Sequence, residues 1–395
     1  MKKNILSLAL CLLVLCGCKN ASTNMMMEGG ERIMVDITQP EKNIKMSDLC
    51  ANVRYVKLET TSESLIKYIR GIIELDDNLL VIDRDVQSLL LFDKDGRFIK
   101  KIAGQGQGPG EYSKMYDVAV DKEGKRLFVL DAYAQSILIY DFGGKYIESK
   151  KFGFWAQELK YIGDDKIALY VGYAPNGYVK ENARPTFFVF DLKDGNVAPY
   201  QYVSNEIRPE ELASPASALA TDANGRAYCF NDLTHEIDVI NKEGLQRTLT
   251  LDFGEEDTER RMAFINLLEE KNNDFQGMAK KSHVSVFSVI GTEDYLLISA
   301  IEPQDGQFMY RIAYSPESGT CIYGKKKWNE PLDYDLEGGI PFMFHSSDKN
   351  KLYGSVMPER ILSMDDADNE VLKQLKENLR EDDNPILVIA ESKPL

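Results

Sequence analysis

One pattern of turns recurs along this chain at near-constant spacing, and the recurrence limits the fold more than any other feature. Gly96, Gly144, Gly195, Gly244 and Gly319 follow one another at intervals of 48, 51, 49 and 75 residues. The last interval contains a helix-like insert at 254–282, and without those 29 residues it is 46. A second kind of turn occurs six times, at Asp76-Asp77-Asn78 and at residues 121–124, 163–165, 222–225, 291–294 and 347–350. Self-similarity at such a period signals stacked supersecondary units. Within the unit at 71–102, four short β-rich runs are broken at Asp76-Asp77-Asn78, Arg84-Asp85 and Lys94-Asp95-Gly96. Residues 116–152 repeat the plan, with turns at Lys122-Glu123-Gly124 and Gly143-Gly144. Alternating runs punctuated this way read as consecutive hairpins, because Asp-Gly and Asn-Gly suit turns that need positive φ.

Six first turns stand against five last turns. The sixth unit supplies strands at 340–346, 351–357 and 385–390 and then lacks one. A spare run, Val53-Arg54-Tyr55-Val56-Lys57-Leu58, precedes the first full unit. Pairing it with 385–390 completes a sixth blade and leaves only short, protected sheet edges. The expected fold class is all-β: a six-bladed β-propeller closed by the N-terminal strand, with two helical inserts at 254–282 and 363–383, and monomeric. In residues 259–271, Met262, Ile265 and Leu268 share a face with Phe264 and Leu267 beside it; in 371–379, Leu372, Leu375 and Leu379 form a stripe. Both inserts are expected to lie as lids on the propeller surface.

The front of the chain carries an address. Lys2 and Lys3 precede an apolar run at 5–15, too short to span a bilayer but suited to a signal-peptide core. The run ends in Leu15-Cys16-Gly17-Cys18, which resembles a bacterial lipobox with Cys18 as the lipidated residue. The expected organisation is a signal peptide at 1–17, a lipidated flexible tether at 18–45 and the propeller at 46–395. The tether is expected because residues 19–44 are polar, Met-rich and without periodicity. Loss of Lys2 and Lys3 takes the formal charge from −16 to −18. That acidity argues against nucleic acid, which is bound through basic patches, and leaves the lipid as the only membrane contact. Lys19-Asn20-Ala21-Ser22 lacks an acidic run, which favours the periplasmic face of an outer membrane. After Cys18 only Cys50, Cys229 and Cys321 remain, too few for a disulfide framework. Cys229 is expected in the core, and a Cys50–Cys321 bridge stays open.

Three units align without gaps between their second and third strands. They read Val81-Ile82-Asp83-Arg84-Asp85-Val86-Gln87-Ser88-Leu89, Val129-Leu130-Asp131-Ala132-Tyr133-Ala134-Gln135-Ser136-Ile137 and Cys229-Phe230-Asn231-Asp232-Leu233-Thr234-His235-Glu236-Ile237. With Phe92-Asp93-Lys94-Asp95-Gly96-Arg97-Phe98, this resembles the NHL-type propeller repeat. The whole mature chain resembles the six-bladed β-propeller lipoproteins of Bacteroidota. The resemblance rests on Tyr55-Val56-Lys57-Leu58-Glu59-Thr60-Thr61, Gly104-Gln105-Gly106-Gln107-Gly108-Pro109-Gly110-Glu111-Tyr112 and Asn384-Pro385-Ile386-Leu387-Val388-Ile389. It implies a fold and an address. The family is largely uncharacterised, so it implies no activity.

Candidate chemistry is sparse. The 104–110 glycines lack the spacing of a phosphate loop and precede a strand, so they read as a tight turn between blades 1 and 2. That connection faces the channel mouth, which makes Gln105, Gln107, Glu111 and Tyr112 candidate ligand contacts. Asp83, Asp131 and Asn231 suit hydrogen bonds to their own turns, while Arg84, Tyr133 and His235 on the same connections are candidate contacts. Asp76-Asp77, Asp164-Asp165 and Asp382-Asp383 read as solvated carboxylates. His235, His283 and His345 fall in blades 4, 5 and 6, and likeness to the zinc-using NHL-type peptide-amidating lyases implies an alternative metal site built from them. The leading expectation is a non-enzymatic, cofactor-free module binding a glycan, peptide or envelope protein at the channel mouth. A metal-dependent lyase or hydrolase is the alternative.

Overall fold

The computed structural model describes residues 26–27, 30–39, 43–207, 217–222, 224–269, 283–301, 308–327 and 332–395. The signal peptide, Cys18 and residues 270–282 of the first insert lie outside them. The repeats fold as six four-stranded antiparallel blades, each numbered here from its inner strand outward. Blade 1 comprises Ile69–Leu75, Asn78–Asp83, Ser88–Asp93 and Phe98–Lys101; blade 2 comprises Met115–Asp121, Arg126–Asp131, Ser136–Asp141 and Tyr146–Lys151. Blade 3 has Glu158–Tyr161, Lys166–Tyr170, Ala183–Asp191 and Val197–Ser204, and blade 4 has Leu219–Thr221, Ala227–Asn231, Glu236–Asn241 and Gly244–Asp252. Blade 5 has Ser285–Gly291, Leu296–Ile301, Phe308–Tyr314 and Cys321–Lys327. Blade 6 has Met343–Asp348, Lys351–Val356 and Ile386–Ser392, and its outer strand is Cys50–Lys57. Val388 lies opposite Tyr55 and Ala390 opposite Val53, so the N-terminal strand closes the ring as expected.

Neighbouring blades are joined twice. Apolar side chains fill the wedges between sheets, as where Leu130 and Ile139 of blade 2 belong to one core with Leu169 and Phe188 of blade 3. Around the axis, inner-strand side chains bond the next blade directly. Asp117 accepts the Leu159 N–H at 3.1 Å, and Glu158 accepts that of Ala218 at 2.8 Å. Ser346 Oγ accepts the Ile72 N–H at 2.8 Å and donates to the Ile72 carbonyl at 2.9 Å. The carboxylates in the first turns add ion pairs between blades, Asp76 with Lys125, Asp165 with Arg126 and Asp164 with Lys242.

The tether expectation needs correction. Gly30–Met34 is a strand lying parallel to the outer strand of blade 4, with Leu251 opposite Ile33. Ile33 and Val35 are buried in the core shared by blades 4 and 5, while Arg32 pairs with Asp252 at 2.7 Å and Glu31 with Arg247 at 2.9 Å. Ile44 and Met46 are buried against blades 5 and 6. This apolar burial outweighs the polar composition of the segment. Ile33→Ala is therefore expected to cost about 3 kcal/mol, as for other buried Ile-to-Ala truncations, read as a fall in thermal midpoint.

The first insert forms a helix at Glu255–Glu269, four residues earlier than the apolar pattern suggests. Acidic Glu255, Glu256 and Asp257 in its first turn suit the positive end of the helix dipole. Its packed face is Leu267 and Leu268 with Phe264 and Ile265, whereas Met262 is 49% exposed. These side chains pack on Tyr173, Val203, Ile207 and Leu233, making a lid over blades 3 and 4. The second insert contains one short helix, Glu370–Lys376, with Leu372 and Leu375 buried, and a further helix, Pro358–Ser363, leads into it. Cys50, Cys229 and Cys321 are all buried free thiols, so the open Cys50–Cys321 bridge is not formed.

Candidate functional site

The two ends of the propeller differ in what forms them. One end carries the turns between first and second strands; the other carries the blade-to-blade connections and the turns between second and third strands. A central cavity of about 880 Å³ is lined by the inner strands of all six blades and reaches the first-turn end through Lys122, Asp164, Asp165, Asn224 and Lys349. None of Arg84, Gln105, Gln107, Glu111, Tyr112, Tyr133 or His235 lines it.

Most of the residues expected to meet a ligand instead hold the connections together. Tyr112 is 0% exposed, and its hydroxyl donates to the Gln87 carbonyl at 2.7 Å. Gln105 Nε2 donates to Ser113 O at 2.9 Å. Glu111 accepts the Gly108 N–H at 2.8 Å, and its carboxylate lies where a Cβ on Gly106 would sit. These glycines make room for a self-bonded loop, as the turn reading expects. Gln107 and Arg84 are exposed.

The recurring Asp/Asn and Gln/His positions have a mechanical role. Asp83 accepts the N–H groups of Asp85 at 3.0 Å and Val86 at 3.2 Å, and Asp131 that of Ala134 at 3.1 Å. Gln87, Gln135 and His235 all take left-handed φ, at 53°, 52° and 57°. From that conformation Gln87 Oε1 accepts the Met115 N–H at 2.6 Å, and His235 Nε2 lies 3.0 Å from the Val284 carbonyl. The Gln87 and His235 side chains thus pin the entry to the next blade, whereas Gln135 does so through its backbone carbonyl, which accepts the Phe152 N–H at 3.1 Å.

Tyr133 departs from this pattern. It is 65% exposed, and its ring lies 5.6 Å from that of Trp155, which packs edge-on to Tyr116 at 4.9 Å. Tyr133 comes from a turn of blade 2, Trp155 from the connection to blade 3, and Tyr116 from a bulge in the blade 2 inner strand. Bulges commonly re-aim a side chain beside a site. Burial pushes the Tyr116 hydroxyl up, and the Arg84 cation near it opposes that shift. The three rings form an aromatic ledge beside a cation. Trp155 and Tyr116 were not among the expected contacts; the run Phe152-Gly153-Phe154-Trp155 between two strands was the available signal.

Within the cavity, Glu158 and Asp117 are committed to the backbone of the next blade. Burial pushes the Glu158 carboxyl up, with Arg70 opposing. Arg70 Nε lacks a hydrogen-bond partner among the described residues. The three histidines do not converge. His345 sits on the cavity wall, bonded through Nε2 to Ser355 Oγ at 2.7 Å, and burial brings it down to about 4. His235 and His283 do meet, with ring centroids 5.3 Å apart, and their third neighbour is Asp232 rather than His345. Burial raises Asp232 to about 7.

The comparisons agree with this architecture. Among curated proteins none matches the chain. A Bacteroides fragilis protein, named by inference as exported, is similar in structure with a TM-score of 0.72 at 17% identity, over 92% of this chain and 99% of its own. A member of the DUF4221 family from Bacteroides vulgatus is similar with a TM-score of 0.51 at 13% identity, over 87% and 97%. At these identities the likeness bears on the fold alone. A family model described as a domain of unknown function, DUF4934, matches residues 32–391, beginning inside the Gly30–Met34 strand. The chain belongs to the DUF4934 family.

Proposed function

We propose that this protein is a cell-envelope recognition module that binds a glycan on the ledge formed by Tyr133, Trp155 and Tyr116. The observation that carries the reading is the exposure of Tyr133 at 65% while its ring rests beside Trp155. A large aromatic left in water on a rigid scaffold loses little entropy on binding and offers a flat apolar face. Sugar rings present such faces through their C–H groups, and Arg84 nearby supplies donors for hydroxyl or carboxylate groups. Loops held by a rigid frame are where recognition residues concentrate. The cavity is the weaker choice, because Asp117, Glu158 and Ser346 already spend their polar atoms on the next blade. The lipobox-like Leu15-Cys16-Gly17-Cys18 supports lipid anchoring at the envelope.

Tyr133→Ala and Trp155→Ala are each expected to weaken glycan binding by about 2 kcal/mol, roughly 30-fold, without changing the thermal midpoint by more than a few degrees. A glycan array followed by isothermal titration calorimetry of the wild type and both variants reads this directly, with no need for a tryptophan signal that Trp155→Ala removes. If a glycan binds and neither variant alters its affinity, the ledge is the wrong place. A peptide or protein captured in place of any glycan overturns the ligand class.

A further inference from the structure

Where the Glu255–Glu269 helix begins, four side chains from three segments converge. Asp232 and His235 come from a turn of blade 4, Asp257 from the first turn of the helix, and His283 from the entry to blade 5. One ligand atom each from Asp232, His235 and His283 lie within 4.8 Å of one another. Asp257 Oδ2 is 3.7 Å from His235 Nδ1.

The hydrogen bonding around these groups is incomplete in one direction. His235 Nε2 faces the Val284 carbonyl at 3.0 Å, and a carbonyl only accepts. Nε2 therefore carries the proton, and Nδ1 presents a lone pair. That lone pair faces a carboxylate oxygen, a second acceptor. His283 is 5% exposed, and neither of its ring nitrogens has a hydrogen-bond partner among the described residues. Asp232 is held in place by the Val286 N–H at 3.0 Å and Ser285 Oγ at 3.4 Å. A ring nitrogen of His235, an oxygen of Asp232 and a ring nitrogen of His283 thus lie within 4.8 Å of one another, and each neutral imidazole has one lone pair to offer. An imidazole whose distal N–H is fixed by a backbone carbonyl is also the usual arrangement of a metal-ligating histidine.

We propose that Asp232, His235 and His283 bind one divalent transition-metal ion of the zinc class, with Asp257, 3.7 Å from His235 Nδ1, the nearest candidate for a fourth donor. Two imidazoles with carboxylates suit that class, whereas calcium and magnesium favour all-oxygen shells. Arg261, whose Nη1 donates to the Leu233 carbonyl at 3.0 Å, is the neighbouring cation and offsets one carboxylate. His235, His283 and Asp257 are buried and Asp232 is half-buried, and they come from blade 4, the helix and the entry to blade 5. A closed site of this kind is a structural one, and here it staples the helical lid across the gap between two blades.

The test uses the tag-free chain, stripped with a chelator and titrated with Co²⁺ and then Zn²⁺. One Co²⁺ per chain is expected, with a visible spectrum lost on Zn²⁺ addition, and Zn²⁺ should raise the thermal midpoint. Asp232→Asn and the volume-conserving His283→Gln are expected to weaken Co²⁺ binding by roughly 100-fold, whereas His345→Ala keeps the wild-type stoichiometry. Absence of any Co²⁺ spectrum or Zn²⁺ shift in the wild-type chain overturns the proposal, even if the variants fail to fold. Wild-type affinity in a folded His283→Gln chain overturns it as well.

Discussion

Deleting Cys50–Lys57 is expected to abolish the folded state of the propeller. This strand is the outer member of blade 6, and its partner Ile386–Ser392 is almost entirely buried. Removing it strips a ladder running from Lys57 opposite Ile386 to Cys50 opposite Ser392. It also removes Val53 and Val56, whose side chains sit in two different inter-blade cores. Loss of several buried residues and a full ladder exceeds the roughly 5–15 kcal/mol by which domains are stable. The exposed edge is apolar and unpaired, the kind that recruits other chains. Size-exclusion chromatography and near-ultraviolet circular dichroism read both consequences. The milder Val56→Ala should remain folded and lose about 2 kcal/mol. A deletion chain that stays monomeric with an intact dichroism spectrum contradicts ring closure as the source of stability.

How far the sequence could carry this reading depended on whether a signal was repeated. Blade number was legible because the same turn chemistry occurs at each unit, and one missing strand could be matched to one spare. The Gly30–Met34 strand was not, because it occurs once. Its alternation of buried Ile33 and Val35 with exposed Arg32 and Met34 is real but only a few residues long. Met262 misled for a different reason: helical periodicity gives a stripe but not which edge of the stripe meets the protein. At the candidate site, Tyr133 and Arg84 lie on turns between second and third strands, away from the cavity lining where the sequence reading expected a channel mouth. Turn positions could not distinguish an aromatic that caps a core, such as Tyr112, from one left in water, because both follow glycine- or alanine-rich turns. The meeting of His235 with His283 crosses 48 positions and depends on how blades 4 and 5 abut. Asp232 joins them only because the turn of blade 4 directs its carboxylate to the Val286 N–H at the entry to blade 5.

Tyr112→Ala is expected to destabilise the protein by about 4 kcal/mol, in the range of large aromatic truncations in a core. Its ring is fully buried in the core shared by blades 1 and 2, among Leu89, Leu91, Val129 and Leu138. Burial raises its hydroxyl pKa, so the group stays a neutral donor across the physiological range. That hydroxyl reaches back to the Gln87 carbonyl at 2.7 Å, tying the connection to the turn whose Gln87 side chain holds Met115. Truncation therefore opens a cavity and leaves a carbonyl without its partner at the seam between two blades. Tyr112→Phe removes only the hydrogen bond and is expected to cost about 1 kcal/mol. The ratio between the two variants separates packing from polarity, and thermal midpoints measured side by side read it. Tyr133→Ala is the control on the same end of the propeller, since its ring is mostly in water and little packing is lost. A Tyr112→Ala midpoint equal to that of Tyr133→Ala would show Tyr112 to be a surface contact rather than the inter-blade tie described here.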